Sequence, residues 1–97
     1  MAIRDEVLLA LKAAMPRLRA AGVRELWLFG SVVRGEARED SDIDIIVEPS
    51  SRVSLLELAR IKRLLEEILG RRVDLTTRDS LIPALRERIL SEAVRAA

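Results

Sequence analysis

The chain has 97 residues, a length that suits one domain with a single hydrophobic core. Seventeen basic residues nearly balance sixteen acidic ones, so the net charge of +1 provides no overall field to attract nucleic acid or an anionic membrane. The absence of cysteine and histidine excludes disulfides, thiolate nucleophiles, the usual zinc sites and any catalytic triad that needs histidine. Carboxylates and hydroxyl groups are left to support chemistry.

The first two predicted elements are a helix and a buried strand. Apolar residues recur at three- and four-residue spacing from Asp5 to about Ala21, which predicts a helix with one buried face. Pro16 lies inside this pattern and predicts a kink or a restart, because proline has no N–H group and clashes with the preceding turn. Residues 23–30, VRELWLFG, are rich in β-formers, which predicts a buried strand with Trp27 in the core.

A second strand and a second helix follow a polar loop over residues 32–41. The segment DIDIIVEP, residues 42–49, alternates in polarity, so Asp42 and Asp44 are predicted on one face of a strand. Ser54 and Glu57 have the spacing of a capping box, and the apolar residues behind them predict a helix that ends at Gly70.

The last part of the chain predicts a third strand and a closing helix. RVDLTT, residues 72–77, alternates with Asp74 on its polar side, and helical spacing continues from about Asp79 to Val94. Core positions are favoured for three apolar residues of this helix, with an interface as the alternative: Leu85, Ile89 and Ala93. Residues 1–97 are therefore predicted to form one α/β (α+β) domain, with a small three-stranded mixed sheet and about four helices. No apolar run approaches a membrane-spanning length, so we expect a cytoplasmic protein without membrane contact.

Two aspartates separated by one residue form the first candidate site. On a strand, Asp42 and Asp44 would have Cα atoms roughly 6.5 Å apart, since each residue adds about 3.3 Å, and both carboxylates would reach one cation. Crowded negative charges and all-oxygen ligands favour Mg²⁺ or Mn²⁺. If its strand lies beside this one, Asp74 would complete a three-carboxylate cluster of the kind that holds paired metal ions in nucleotidyl transfer.

Gly30 and Ser31 form the second candidate site. A glycine that closes a strand lets backbone N–H groups approach a phosphate, and Ser31 adds a hydroxyl at the start of a predicted short helix. Arg34 and Gly35 would charge and shape the same loop. Taken singly, each signal has a simpler interpretation: Asp-x-Asp is a solvated strand end, Gly-Ser is a turn, and Arg34 is a solvated charge. Together, in strand–turn–strand order, they favour a site for phosphate and metal.

The segment GSVVRGEAREDSDIDIIV, residues 30–47, resembles the Gly-Ser-x10-Asp-x-Asp signature of the polymerase-β-type nucleotidyltransferase superfamily. More narrowly, nearly the whole chain resembles its minimal nucleotidyltransferase (MNT) branch. The resemblance implies that Gly30 and Ser31 hold the phosphates of a nucleotide, with ATP expected, and that Arg34 matches a basic position of the branch. It also implies that Asp42, Asp44 and Asp74 are the catalytic carboxylates and the ligands of two Mg²⁺ ions, with Mn²⁺ as an alternative.

The resemblance further implies a protein partner, because members of this branch are paired with HEPN-domain toxins and act as their antitoxins. The implied activity is transfer of AMP from ATP to a tyrosine of the HEPN partner, with which the chain would form a hetero-oligomer. No direct nucleic acid binding is expected. Two alternatives stay open: a nucleotidyltransferase-like antitoxin that neutralises its partner by stoichiometric binding, and transfer to a small molecule, which the absence of a second lobe disfavours.

Overall fold

Residues 2–96 are described by a computed structural model, which contains four helices and four strands. The helices and strands run in the order α1 Ile3–Ala13, α2 Met15–Ala20, β1 Val23–Phe29, β2 Ile43–Pro49, α3 Leu55–Leu69, β3 Val73–Thr77, α4 Pro83–Glu92 and β4 Val94–Arg95. Single turns of 3-10 helix at Gly30–Val32 and Arg78–Ser80 follow β1 and β3.

The strands form one mixed sheet in the order β3-β2-β1-β4. β1 is antiparallel to both of its neighbours, β2 and β4, whereas β2 and β3 are parallel. The parallel pair requires a crossover, and α3 supplies it. The prediction of a mixed sheet is therefore confirmed, but the sheet has four strands within residues 2–96 instead of three.

The additional strand, β4, lies where the sequence predicts the end of the closing helix. Helix α4 ends at Glu92, and Ala93 adopts an extended conformation with ψ 147°. The chain then pairs with the free edge of β1, and the Ala96 N–H group donates to the Leu26 carbonyl at 2.8 Å. This pairing satisfies backbone hydrogen-bonding groups at the edge of β1, and side-chain patterns in the sequence give no sign of such groups. A strand of two residues is also too short to show alternation.

The hydrophobic core lies between one face of the sheet and the first three helices. This core face carries alternate residues of β1 and β2, as the predicted alternation requires. Fully buried side chains of this core include Val23, Leu26, Leu28, Ile43, Ile45 and Val47 from the strands, with Leu11, Leu18, Ile61 and Leu65 from α1, α2 and α3.

Two local predictions about the helices are confirmed. The first helix restarts near Pro16, which occupies the first turn of α2, where its missing N–H group leaves no hydrogen bond unmade. Ser54 Oγ accepts a hydrogen bond from the Glu57 N–H group at 3.1 Å, and Gly70 ends α3 in the left-handed conformation with φ 63°. The 15 helical residues between these two caps set the length of the β2–β3 crossover.

The opposite face of the sheet, called here the acid face, carries Trp27, Phe29, Asp44, Ile46, Asp74 and Thr76. Helix α4 connects β3 at one edge to β4 at the other, contacts β1 and contributes nothing to the core, which places it on the acid face. Ile46 is fully buried there, whereas Trp27 is only partly buried. The prediction that Trp27 lies in the core is therefore wrong, and the Arg78 guanidinium stands 5.6 Å from the centre of its ring.

The predicted burial of the closing helix is also wrong. No residue of α4 is buried, and Leu85 is 45% exposed. The apolar residues of α4 cover part of the acid face, but they do not form a second core. No helix within residues 2–96 is long and apolar enough to cross a membrane.

Helix α3 offers a matched test of the core. Leu65 is fully buried and Leu56, on the same helix, is 63% exposed. Leu65→Ala should lower the free energy of unfolding by about 2–5 kcal/mol because it leaves a cavity between α3 and the sheet, whereas Leu56→Ala should change it by about 0.5 kcal/mol or less. Urea denaturation followed by circular dichroism measures both changes, and equal losses would contradict the assignment of the core face.

Candidate active site

The predicted carboxylates meet on the acid face because of strand register. Asp44 of β2 is paired with Phe29 of β1 on one side and with Asp74 of β3 on the other. Asp42 precedes β2 and lies two residues before Asp44, so alternation directs it to the same side. The structure thus brings together all three carboxylates that the sequence singles out.

Asp44 has an electrostatic environment that disfavours its charged form. Burial raises the pKa of the Asp44 carboxyl most, and the negative charges of Asp74 and Asp42 raise it further. A hydrogen bond with the Asp74 side chain acts in the same direction, while the positive charge of Arg34 lowers the pKa. A cation bound among these groups would relieve the repulsion, as expected for a metal or nucleotide site.

Gly30 has a specific structural reason to be glycine. Its φ of +73° lies in the left-handed region, and a Cβ atom built at this position would overlap the Asp44 carboxylate. The backbone of residue 30 therefore lies directly against the central acid of the site. Gly35 also has a positive φ, +74°, but a Cβ there would meet open space.

The turn after β1 places the other predicted phosphate ligands. The Gly30 carbonyl accepts hydrogen bonds from the N–H groups of Val33 at 3.1 Å and Arg34 at 3.3 Å, and the Ser31 carbonyl accepts one from Glu36 at 2.9 Å. The predicted short helix is thus a single 3-10 turn, too short for a strong helix dipole. Its usable features are the exposed backbone, the Ser31 hydroxyl and the Arg34 side chain.

Arg34 is exposed and reaches two acidic partners. Its Nε atom lies 3.2 Å from Glu36 Oε2, and its charge also acts on Asp44. A cavity of about 400 Å³ adjoins Arg34 and Gly35, with further walls formed by Ala2, Ile3, Arg4, Val32, Val33 and Ala37. None of the three aspartates lines this cavity, so it borders the turn after β1 and not the acid cluster.

Arg72 contacts the site, although no sequence motif singles it out. Its Nε atom lies 3.1 Å from Asp42 Oδ1, and its Nη2 atom reaches the Asp40 carbonyl at 3.5 Å. The neighbouring Arg71 donates to the Glu39 carbonyl at 3.0 Å. The only signal in the sequence is an equal spacing: Arg72 precedes Asp74 by two residues, as Asp42 precedes Asp44. This equal spacing places Arg72 beside Asp42 only if Asp44 is paired with Asp74, which the sequence does not show.

The donor set fits a hard divalent cation. Asp42, Asp44 and Asp74 provide only carboxylate oxygens, which suit Mg²⁺ or Mn²⁺. The pKa of Asp44 is raised first by burial and then by the negative charges of Asp74 and Asp42. Within residues 2–96, however, no three acidic side chains already form a cluster that would hold an ion. Asp42 instead pairs with Arg72, so ion binding would require local side-chain rearrangement.

Comparison with known families identifies the domain. The model of the nucleotidyltransferase domain matches residues 9–96. The chain belongs to this family. A candidate protein adenylyltransferase of Methanocaldococcus jannaschii is 50% identical over 80 residues, covering 82% of this chain and 86% of the relative. The protein adenylyltransferase MntA of Thermococcus cleftensis is 48% identical over 73 residues, covering 75% of this chain and 74% of MntA.

Solved structures place the nucleotidyltransferase chain in the same fold group. A structure described as a minimal nucleotidyltransferase is 40% identical, with a TM-score of 0.81, and the match covers 97% of this chain and 95% of that one. A more distant likeness, 20% identical with a TM-score of 0.67, is to a complex of tri-AMPylated Shewanella oneidensis HEPN toxin with its MNT antitoxin. That match covers 94% of this chain and 71% of the other and shows the shared fold.

Two glycines with nearly the same backbone conformation allow a controlled test of the Gly30 contact. Gly35→Ala should cost about 1–2 kcal/mol of unfolding free energy, the usual penalty for a left-handed alanine. Gly30→Ala should cost more, because its methyl group also displaces the Asp44 carboxylate. Thermal and urea unfolding measure the difference, and equal penalties would show that the contact with Asp44 is unimportant.

The raised pKa of Asp44 predicts a pH-dependent effect on stability. The folded state retains this proton to higher pH than the unfolded state, so the contribution of Asp44 falls as pH rises from the ordinary carboxyl range through the raised pKa. Without divalent cations, Asp44→Asn should therefore gain stability relative to wild type as pH increases through that window. Urea denaturation across pH measures this difference. The exposed Asp79→Asn is the control, and a constant difference for Asp44→Asn would contradict the prediction.

Proposed function

We propose that the chain is a protein adenylyltransferase that uses a divalent cation to transfer AMP from ATP to a hydroxyl group of a HEPN-type partner protein. A tyrosine is the expected acceptor, and the modification would make the chain the antitoxin of a toxin–antitoxin pair. The observation that carries this proposal is the position of Asp44 between Asp74 and Asp42, directly against the Gly30 backbone. Residues 1–97 would act as one minimal nucleotidyltransferase domain.

The geometry supports a division of roles around Asp44. The turn from Gly30 to Arg34 would bind the phosphates through its backbone, the Ser31 hydroxyl and the Arg34 charge. Asp42, Asp44 and Asp74 would hold Mg²⁺ or Mn²⁺, which supplies stabilisation of the charge on the reacting phosphate and on the leaving pyrophosphate. Asp74 is exposed and hydrogen-bonded to Asp44, so it is placed to accept the proton of an incoming hydroxyl.

The proposed reaction balances without any further reactant. The acceptor oxygen forms a bond to the α-phosphorus of ATP, the bond from that phosphorus to the bridging oxygen breaks, and pyrophosphate leaves with those electrons. The proton of the acceptor hydroxyl passes to a carboxylate and then to solvent. Residues 1–97 contain no tyrosine, so a tyrosine acceptor would lie outside this domain.

The names of the relatives support the same activity. Two relatives near 50% identity carry the name protein adenylyltransferase, one of them as a candidate. The more distant MNT antitoxin is described in complex with a tri-AMPylated HEPN toxin, which supports a HEPN-type acceptor. Exposure of Asp42 and Asp74 leaves this side of the sheet accessible to a protein.

A second candidate function is neutralisation of the partner by stoichiometric binding. The pairing of Asp42 with Arg72, together with the lack of a preformed ion cluster in residues 2–96, favours this alternative. The two functions differ in their need for Asp44. Binding would survive its replacement, whereas AMP transfer would not.

Mass spectrometry of the partner separates the two candidates. Purified chain, ATP and Mg²⁺ should increase the mass of a HEPN-type partner by one or more AMP groups. Asp44→Asn should lower the rate about a hundredfold or more, since it removes a central charge of the site. Asp79→Asn, an exposed change outside the acid cluster, should leave the rate unchanged.

Two results would contradict the proposal. One is an unmodified partner when Mn²⁺ binding to the chain has been demonstrated directly. The other is full neutralisation of the toxin by Asp44→Asn without any AMP transfer, which would support stoichiometric binding.

A further inference from the structure

Arg72 and Asp42 are held next to each other by the backbone as well as by their charges. The Ile43 N–H group donates to the Arg72 carbonyl at 2.9 Å, which begins the parallel pairing of β2 with β3. The register that sets Asp44 against Asp74 therefore also sets Asp42 beside Arg72. The Arg72 Nε atom, 3.1 Å from Asp42 Oδ1, completes the pair.

The side chains of Arg72 and Asp42 are exposed to solvent by 76% and 51%, respectively. An exposed ion pair of this kind adds little to stability by itself, because water and salt compete for both charges. Further contacts nevertheless keep the pair together, since Arg71 and Arg72 both donate to carbonyl groups of the loop that precedes Asp42. The guanidinium therefore stays close to Asp42 while remaining free to exchange its partner.

We propose that Arg72 is the resident counter-ion of Asp42 and controls cation loading of the site, an inference that rests on the proposed function. The guanidinium contacts Asp42 Oδ1, an oxygen through which Asp42 would otherwise bind a divalent cation. Cation binding therefore has to displace Arg72 as well as gather the carboxylates, which agrees with the lack of a preformed cluster in the described residues. Arg72 is thus a positioning residue that acts through Asp42.

This arrangement makes cation loading depend on the nucleotide. A free divalent ion gains the carboxylates but must overcome the nearby positive charge of Arg72. An ion that arrives on a nucleoside triphosphate brings phosphates with it, and these provide an alternative anionic partner for the released guanidinium. The chain should therefore bind Mn²⁺ weakly alone and much more tightly together with a triphosphate.

Arg71 provides a matched control for Arg72. Both are arginines at adjacent positions, so replacing either one with glutamine removes the same charge from the same segment. Within residues 2–96, Arg71 donates hydrogen bonds to the carbonyl groups of Arg38 and Glu39, whereas Arg72 also forms an ion pair with a carboxylate. Only the Arg72 change removes the counter-ion from Asp42.

The first test is Mn²⁺ binding to the purified chain without nucleotide, measured by electron paramagnetic resonance. Arg72→Gln should bind Mn²⁺ roughly three- to thirtyfold more tightly than wild type, as expected for removal of one positive charge a few ångströms from the ion. Arg72→Lys should stay near wild type because it keeps the charge, and Arg71→Gln should change affinity by less than Arg72→Gln. Arg72→Ala serves as a second neutral variant, and circular dichroism checks that each variant is folded.

The second test measures Mn²⁺ affinity again with a non-hydrolysable ATP analogue. The analogue should tighten Mn²⁺ binding by a larger factor in wild type than in Arg72→Gln. Equal or weaker Mn²⁺ binding by Arg72→Gln and Arg72→Ala would overturn the inference, as would the same gain in Arg71→Gln or failure of any variant to bind Mn²⁺.

The outcomes separate this inference from the proposed function. Unchanged Mn²⁺ affinity in Arg72→Gln, together with AMP transfer by wild type, overturns only the role of Arg72. Tighter Mn²⁺ binding by Arg72→Gln with no AMP transfer by wild type supports the role of Arg72 and overturns the proposed activity.

Discussion

Parallel pairing of β2 with β3 fixes the charge arrangement on which the site depends. It places Asp44 beside Asp74 and, two residues earlier, Asp42 beside Arg72. Three carboxylates and one guanidinium thus meet at one end of two neighbouring strands. The repulsion among the carboxylates is tolerated because Asp42 and Asp74 are exposed to water and because Asp42 has a cationic partner. A shift of the register by one residue would move the aspartates to the core face, so the core and the site must form together.

The two faces of the sheet have different roles: one packs against the hydrophobic core, and the other carries the aspartates. On the core face, α1, α2 and α3 bury a continuous set of aliphatic side chains. On the acid face, Ile46 is fully buried, whereas Asp44 is only partly buried and its neighbour Asp74 is exposed. The rigid core therefore supports a site that can exchange side-chain partners. This division suits an enzyme whose acceptor is another protein, because the acceptor must approach the aspartates from outside.

Local patterns predicted the elements that local physics controls. Ser54 and Gly70 mark the ends of α3 because capping needs only nearby backbone groups. Pro16 marks the restart of the first helix for the same reason. The errors occurred where distant contacts decide. Trp27 lies on the acid face although its sequence neighbours are apolar, and Val94 joins the edge of β1 although helical spacing continues to it.

The sequence alone determined which groups are available for chemistry and roughly where they lie along the strands. Gly30, Asp42, Asp44 and Asp74 were all identifiable because the family motif and strand alternation are properties of local spacing. Only the tertiary structure decided what each group faces. Strand register decides two of these contacts, because it joins residues far apart in the chain. It places Asp44 where a side chain at position 30 would overlap it, and it pairs Asp42 with Arg72. Register depends on the packing of the whole core, so no short stretch of sequence specifies it.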